Sequence, residues 1–399
     1  MGGRMRTDRR DGFRLDRGFQ VFNTSYPQVK RRLDLRRLRL RPFTPGLVAH
    51  SDTGPVRLAD PTRRPDWAGS LVPGRVLPAR DLAALAALTA RDVLLPAGVL
   101  KRRPDRSTSA ALARAGVSAP TVDRILRPFL AGVFLEDRLE TSARFFHLVW
   151  RSMVRGTLCL PADGIGAVPA QLAEGLPDGV LRRETAVREI NPSGVLLADG
   201  GEVPAAAVVV ATDAATAARL LPGLPVPDGR TAAVVVATDA ATAARLLPGL
   251  PVPDGRTVTT YHHTASRAPL AEPTLVVDGS GAVLNTCVLT EVAPTYAPPG
   301  AVLVSTSVLG ADRPGAGDTV LRRLCELYGT DTRDWQQVGV HTVEGALPVM
   351  RPPWPLSRTT RFGPGRYVCG DHRATGSVQG ALASGTRAAR EVLTDLARG

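Results

Sequence analysis

The chain has 399 residues, 44% hydrophobic and 22% charged, which is long enough for two domains and excludes a disordered or fibrous protein. Its net charge of +13 comes almost entirely from arginine, because Lys30 and Lys101 are its only lysines. No basic run alternates with stacking aromatic side chains, so we expect no nucleic-acid partner. The arginine excess fits the amino-acid usage of a GC-rich genome, although the arginines of segment 31–39 leave peripheral membrane contact open.

Neither a targeting signal nor a metal motif is visible in the sequence. The first 30 residues are polar and arginine-rich, and 18 consecutive apolar residues occur nowhere, which favours a cytoplasmic protein. The cysteines stand singly, without the paired spacing of a zinc site or a disulfide framework. We therefore predict no metal, and reduced thiols at Cys159, Cys287, Cys325 and Cys369.

The first long pattern is helical. From residue 80 to residue 155, apolar residues recur at the spacing of amphipathic helices. We predict one helix that is capped by Ser109 and ends at Arg114, and another over 141–154.

The middle of the chain predicts strands. An edge strand is expected over 182–190. The turn signal Asp199-Gly200 predicts a hairpin whose arms are 195–197 and the segment around Val203. The valine run 208–211 predicts a buried strand, and a short helix should follow over 213–221. Later apolar runs predict strands at 258–262, 274–277, 286–289 and 302–308, followed by a helix at 319–328.

A direct repeat interrupts this order, because segment 206–231 recurs without a change as 232–257. Two identical copies do not make a solenoid, which needs three or more diverging units, so they indicate a recent duplication or an assembly error. An α/β sheet has one place for this strand. We expect the second copy to lie outside the sheet with exposed valines, or to displace its twin, and we expect deletion of one copy to raise stability.

The end of the chain returns to an α/β pattern, with a short strand at 367–369 and a long helix at 377–397. Gly370-Asp371 follows the strand directly, and Gly380-Ala381 lies near the start of the helix. This spacing resembles the C-terminal flavin motif of the superfamily that contains flavin amine oxidases, protoporphyrinogen oxidases and phytoene desaturases. The resemblance implies that Asp371 approaches the ribityl chain or the pyrophosphate, and that the helix start at Val378, Gly380 and Ala381 points its positive end at the flavin.

Two N-terminal motifs resemble the segment that follows the dinucleotide fold in the same superfamily: Gly2-Gly3-Arg4, and Gly18-Phe19-Gln20. Paired glycines allow the backbone to approach a pyrophosphate, and an arginine supplies a fixed fork of donors. A third match, Pro161 to Gly164, resembles the turn that leads back to the flavin domain, after which Val187 would offer its backbone to the adenine.

The resemblance implies an FAD-dependent oxidoreductase with an α/β fold: a Rossmann-like FAD/NAD(P)-binding domain with an inserted α+β substrate domain. The implied FAD-binding domain is discontinuous and the substrate domain fills the gaps, with the flavin domain at 1–27, 158–257 and 360–399 and the substrate domain at 28–157 and 258–359. No GxGxxG follows a buried strand, so the flavin domain is incomplete at its N-terminus. We expect the sequence as written to be a truncated form that binds flavin poorly.

Two departures from the amine oxidases bear on the substrate. Neither lysine falls in a segment that matches their lysine near flavin N5, and Ser377 stands where they place an aromatic cage residue. Both favour hydride transfer from a C–H (or C–N) bond of a lipophilic or cyclic small molecule to flavin N5, with oxygen, a quinone or another molecule as electron acceptor. A flavin amine oxidase proper and a non-catalytic homologue without FAD stay as alternatives.

No catalytic residue is assigned by the pattern, and Gln20 and His372 are the candidates because their motifs imply a place near the flavin. The pair His262-His263 has no carboxylate beside it in sequence and is interpreted as lining a surface or cavity. The pattern selects neither an oligomeric state nor a particular substrate.

Overall fold

A computed structural model describes residues 2–74, 76–211, 233–236 and 254–398. Its strands, numbered in chain order, are β1 (Thr7–Arg10), β2 (Phe13–Asp16), β3 (Phe22–Asn23), β4 (Arg41–Pro42), β5 (Gly46–Ser51), β6 (Gly54–Ala59), β7 (Leu158–Leu160), β8 (Val187–Asn191), β9 (Gly194–Leu197), β10 (Glu202–Pro204), β11 (Ala207–Val210), β12 (Ala233–Val236), β13 (Gly255–Ala265), β14 (Leu275–Asp278), β15 (Asn285–Val288), β16 (Val302–Leu309), β17 (Gln336–Pro348), β18 (Arg361–Gly363) and β19 (Arg366–Val368).

The α-helices of the same residues are α1 (Pro27–Arg32), α2 (Ala79–Leu94), α3 (Ala97–Arg102), α4 (Thr108–Arg114), α5 (Ala119–Thr121), α6 (Arg127–Phe134), α7 (Ala143–Arg155), α8 (Ala167–Glu174), α9 (Leu289–Val292), α10 (Ala316–Tyr328) and α11 (Val378–Leu396). A π-helical turn, Val122–Leu126, joins α5 to α6. Helices α2, α4, α6 and α7 and the π-helical turn share a core of mainly leucine and phenylalanine side chains.

A four-stranded sheet has the order β12-β11-β19-β18. Strand β11 runs parallel to β12 on one side and to β19 on the other. Val208 and Val210 on one face of β11 are fully buried, and Ala207 and Val209 on the other face are 1% and 7% exposed, so the strand is covered on both faces. Helix α11 packs on this sheet through Ala388 and Val392, so the end of the chain joins its middle.

Both copies of the repeat contribute to this sheet. The first copy gives β11, which is central, and the second gives β12, which pairs in register at its edge. Our expectation that the second copy lies outside the sheet or displaces its twin is therefore wrong: it extends the sheet. Val235 of β12 is nevertheless 62% exposed, because its face has no cover among the described residues. The helix predicted at 213–221 lies outside the described residues.

The larger sheet has seven strands in the order β17-β13-β16-β15-β14-β5-β6. Neighbours are antiparallel except for β14 and β5. Alternate residues of each strand point to opposite sides, which gives the sheet two faces. We call one the helix-covered face, where Tyr261 and Val304 pack on Leu324 of α10. The other is the polar face, which carries Thr260, His262, Asn285, Ser305, Ser307 and His341.

Most predicted elements are confirmed, including the hairpin β9–β10 around Gly200, the strands and helix after residue 254, and the terminal helix α11. Two predictions are wrong. Ser107, not Ser109, caps α4, because its side chain accepts the backbone N–H of Ala110. The edge strand predicted over 182–190 begins only at Val187. The division into a flavin domain and a substrate domain stays a prediction.

Candidate functional site

An ion pair joins the two ends of the chain. Arg4 Nη2 donates to Asp371 Oδ1 at 2.8 Å, while its Nη1 donates to the carbonyls of Ala346 at 2.8 Å and Gly345 at 3.2 Å. Asp371 is 6% exposed. Burial alone would raise the pKa of this carboxyl, but the Arg4 guanidinium holds it below its ordinary value, so Asp371 is an anion in the folded protein.

The glycines before Arg4 adopt conformations that side chains disfavour, with φ of +95° at Gly2 and +56° at Gly3. A Cβ at Gly2 would lie 2.3 Å from the carbonyl oxygen of Met5, whereas one at Gly3 would meet nothing within 4 Å. Gly2 is thus required by the protein's own turn. Gly3 presents a bare backbone to open space.

The turn after β2 is held against the same segment. Gly18 has φ +81°, and the side-chain amide of Gln20 donates to the carbonyls of Arg4 and, at 3.0 Å, of Arg17. The Phe19 ring meets Phe43 edge to face, with centroids 5.9 Å apart. The structure therefore brings Gln20 to the backbone of Arg4, and Arg4 to Asp371.

Hydrogen bonds hold the connection between β19 and α11, which contains the C-terminal motif, against the helix. Gly370 has φ +149°, and Ser384 of α11 binds it twice, accepting its N–H at 2.9 Å and donating to its carbonyl at 2.7 Å. Ser377 caps α11 by accepting the N–H of Gly380 at 3.1 Å. A Cβ at Gly380 would lie 1.8 Å from the carbonyl oxygen of Thr375, so this glycine is required by the loop that crosses the helix start. Val378 and Ala381 lie in the same first turn.

His372 follows Asp371 and is 2% exposed. Burial lowers its pKa to about 4, so the ring is neutral at pH 7. Neither ring nitrogen has a hydrogen-bond partner within the described part of the chain. Val187, by contrast, starts β8 in a separate three-stranded sheet of order β10-β9-β8.

The Pro161 to Gly164 turn packs on the N-terminal hairpin. Gly164 has φ +89°, and a Cβ there would lie 2.3 Å from Thr7 Oγ1. Thr7 in turn donates to Asp16 at 2.5 Å, and the same carboxylate accepts the Ile165 N–H at 3.0 Å and the Tyr296 hydroxyl at 2.9 Å. Burial raises the pKa of Asp16 to about 6 despite these bonds.

The sequence did not reveal the polar face of the large sheet as a site. There His262 Nδ1, His341 Nδ1 and Ser305 Oγ are buried and have no hydrogen-bond partner among the described residues. The rings of His262 and His341 meet edge to face, 5.6 Å apart. The signal in the sequence was the alternation of polar residues Thr260, His262 and Thr264, but it was ambiguous because Tyr261 and His263 alternate with them.

The residues that the structure describes lack two further features. They contain no helix long and apolar enough to cross a membrane. They also contain no group of three or more histidine, cysteine or acidic side chains that could hold a metal ion. The cysteines are free thiols: Cys325 is partly buried, and Cys159, Cys287 and Cys369 are buried.

Several solved structures have a fold similar to that of this chain. A putrescine oxidase with redesigned cofactor binding matches with a TM-score of 0.66 and 16% identity, over 98% of this chain and 91% of its own. Cyclohexylamine oxidase from Brevibacterium oxydans matches with a TM-score of 0.64 and 15% identity, over 99% and 91%. A reduced UDP-galactopyranose mutase matches with 0.59 and 13%, over 98% and 87%. At these identities the likeness shows the fold.

No curated protein sequence matches the chain. The model of the flavin-containing amine oxidoreductase family, however, matches residues 1–393. The chain therefore belongs to the flavin-containing amine oxidoreductases, and it is an FAD-dependent oxidoreductase.

Proposed function

We propose that the protein oxidises a C–H bond, or a C–N bond, of a lipophilic or cyclic small molecule, with oxygen, a quinone or a similar molecule as the final electron acceptor. The observation that carries this proposal is the 2.8 Å ion pair between Arg4 and Asp371. It joins two motifs that are 367 residues apart in sequence and that the family resemblance assigns to one cofactor.

The residues around this pair fit a flavin. Gly3 presents open backbone, Arg4 supplies a cation, and the buried nitrogens of His372 lack a partner among the described residues. Buried polar atoms of this kind are normally hydrogen-bonded, so a bound ligand accounts for them. When bound, the flavin supplies a two-electron acceptor that takes a hydride from a substrate carbon at N5.

In this proposal the protein holds the cofactor mainly through backbone and charge. Gly2, Gly3 and Arg4 would face the pyrophosphate, and Asp371 would accept hydrogen bonds from the ribityl hydroxyls. Gly18, Phe19 and Gln20 would lie under the ring, and Gly370, Val378, Gly380 and Ala381 would direct the start of α11 toward it. Val187 would bind the adenine through its backbone. Gln20 and His372 stay the candidates for a direct chemical role.

The substrate class rests on charge. Lys30 on α1 and Lys101 on α3 are both exposed, so neither lies on the polar face of the sheet. The protein therefore has no counterpart there of the lysine that amine oxidases place near flavin N5. A carboxylate near that face, Asp8, is already bound by Arg17 at 2.7 Å and Arg6 at 3.1 Å. Asp8 therefore offers a substrate ammonium no free counter-charge, which favours an uncharged substrate.

Oxidation of an amine is the second candidate, since the family model describes amine oxidoreductases and two similar folds are amine oxidases. Peripheral membrane contact through segment 31–39 also stays a proposal. Its arginines are exposed, but Arg37 is paired with Glu174 and Arg39 with Asp163, which reduces the free positive charge.

The test uses protein expressed from its full reading frame. We expect it to purify with non-covalent FAD, and Asp371→Ala to lose most of it, because Arg4 would lose its anion and the ribityl chain its acceptor. Asp278→Ala is the matched control: it breaks another buried pair, with Arg323 at 2.6 Å, on the large sheet. Both variants lose a buried ion pair, so a general loss of stability affects both.

Absorbance spectra of the purified proteins measure FAD content. Equal FAD content in the two variants would remove Asp371 from the cofactor site, and absence of FAD from the unmodified protein would favour the non-catalytic homologue. Anaerobic mixing with benzylamine completes the test: we expect the flavin to stay oxidised, and bleaching would select amine oxidation.

A further inference from the structure

The polar face of the seven-stranded sheet carries a continuous set of hydrogen-bonding side chains. His262 of β13 lies opposite Ser305 of β16, and Thr260 lies between Ser307 of β16 and His341 of β17 in the pairing register. Opposite residues of paired strands point to the same face, with their Cβ atoms in reach of each other. His262 is 1% exposed and Ser305 is 2% exposed.

Part of this set is unsatisfied. Thr260 and Ser307 bond each other at 3.2 Å, and on the helix-covered face Thr286 and Thr306 do the same at 2.9 Å. His262 Nδ1, His341 Nδ1 and Ser305 Oγ have no partner within the described residues. A buried polar atom without a partner destabilises the fold. His263 also has two unpartnered ring nitrogens, but among the described residues it is the only such residue of the sheet on the helix-covered face. The three atoms of the polar face come from adjacent strands of one patch, which indicates a ligand that completes them.

The patch has hydrogen-bonding capacity without charge. Burial, with the neighbouring His341 and His263, lowers the pKa of His262 to about 3, so its ring is neutral at pH 7. Burial also lowers the pKa of His341, although Asp8 lies 3.3 Å from its Nε2 and acts in the opposite direction. Neutral imidazoles and a hydroxyl both donate and accept, which suits a carbonyl or hydroxyl oxygen better than an ammonium ion.

The patch lies against the segment that leads into the Gly18-Phe19-Gln20 turn. A Cβ on Gly339, which lies opposite His262, would be 2.7 Å from Leu15 Cδ1, and a Cβ on Gly18 would be 3.8 Å from Val343. The sheet and the chain from Leu15 to Gly18 are therefore in contact on both sides of His341. A molecule bound to the patch would touch the turn that the proposed function assigns to the flavin.

We propose that His262, Ser305 and His341 form the subsite for the polar group of the substrate, a carbonyl or hydroxyl oxygen on an otherwise apolar molecule. This inference rests on the proposed function for its location beside the cofactor. It adds the chemical class of the group that is recognised and the residues that recognise it.

Isothermal titration calorimetry of the purified protein tests the subsite with a matched pair of probes, 4-tert-butylcyclohexanone and 4-tert-butylcyclohexylamine. We expect the ketone to bind at least tenfold more tightly than the amine. His262→Phe should weaken ketone binding at least tenfold and Ser305→Ala about fivefold. His263→Phe is the matched control, because His263 is equally buried on the same strand and its ring nitrogens also lack a partner among the described residues, but it lies on the helix-covered face.

Ser305→Ala removes one hydroxyl and leaves the packing of the sheet intact. Its ketone affinity therefore tests the subsite even if the histidine variant does not fold. Unchanged ketone affinity in Ser305→Ala, tighter binding of the amine, or no binding of the ketone to the unmodified protein would each overturn the subsite. FAD content is measured on the same samples. If one of these results comes with normal FAD content, the subsite is wrong and the proposed function stands. If FAD is absent, the proposed function is wrong, and the ketone and amine affinities still test the subsite.

Discussion

The two faces of the seven-stranded sheet have the same strands and similar burial but differ in chemistry. On the helix-covered face, Tyr261, Val304 and Leu324 close an apolar core, in which only His263 of the described sheet residues keeps unpartnered polar atoms. On the polar face, His262 and Ser305 are as deeply buried, and both keep unpartnered polar atoms among the described residues. Burial of apolar groups stabilises a fold, and burial of unpaired polar groups destabilises it. The difference indicates that one face maintains the structure and the other is kept for a ligand.

The largest expected effect comes from opening the helix-covered face. Leu324→Ala should lower the free energy of unfolding by about 3 kcal/mol, because Leu324 is fully buried and its loss leaves a cavity between α10 and the sheet. Urea unfolding followed by circular dichroism measures the change. The control is Leu393→Ala in α11, where the leucine is 68% exposed and should matter little. Equal losses would mean that α10 does not supply the stability of this face.

A second effect concerns the layer over the polar face. Burial raises the pKa of Asp16 to about 6 from an ordinary value of 3.8, so between these values the folded protein binds more protons than the unfolded chain. Below pH 3.8 the Asp16 carboxyl is protonated in both states and does not destabilise the folded protein. As the pH rises through 6, the folded protein loses about 3 kcal/mol of stability in all. Asp16→Asn should remove this slope.

The measurement is the difference in unfolding free energy between Asp16→Asn and the unmodified protein at pH 4, 5, 6 and 7. Other groups titrate equally in both proteins, so the difference isolates Asp16. We expect the variant to gain relative stability as the pH rises. A difference that stays constant with pH would show that Asp16 titrates near its ordinary value.

The smallest effect compares neighbouring residues on opposite faces. Ser305→Ala should raise the free energy of unfolding by about 1 kcal/mol, because it removes a buried hydroxyl that has no partner in the described residues. Thr306→Val should lower it by a similar amount, because Thr306 is bonded to Thr286 at 2.9 Å. Thermal unfolding of the two variants measures both. Destabilisation by Ser305→Ala would show that its hydroxyl is already paired.

The strands and long helices could be predicted from the sequence because their signals are local. A valine run predicts β11, and Asp199-Gly200 predicts the hairpin of β9 and β10, in both cases from residues that are neighbours in the chain. Caps are decided by finer geometry. Ser107 and Ser109 both stand near the start of α4, and which of them caps the helix depends on the backbone, which the pattern does not specify.

The candidate site depends on distant contacts, which single-sequence patterns do not encode. Arg4 and Asp371 were related only through the family resemblance, and their contact needs the whole fold. The polar face needed the register between β13, β16 and β17. Both His262 and His263 sit on a strand that is buried on both sides, so alternation alone does not tell which one faces a ligand.

The repeat gives this chain two identical strands for one position. Segments 207–210 and 233–236 have the same sequence, so either could occupy the inner place beside β19, with the other at the edge. The two arrangements differ in the length of their connections, and a doubling of loop length changes the closure free energy by only about 0.6 kcal/mol. The sequence therefore does not specify which copy pairs with β19. A molecule in which the other copy pairs first must break the pairing of a buried strand before the two copies can exchange places.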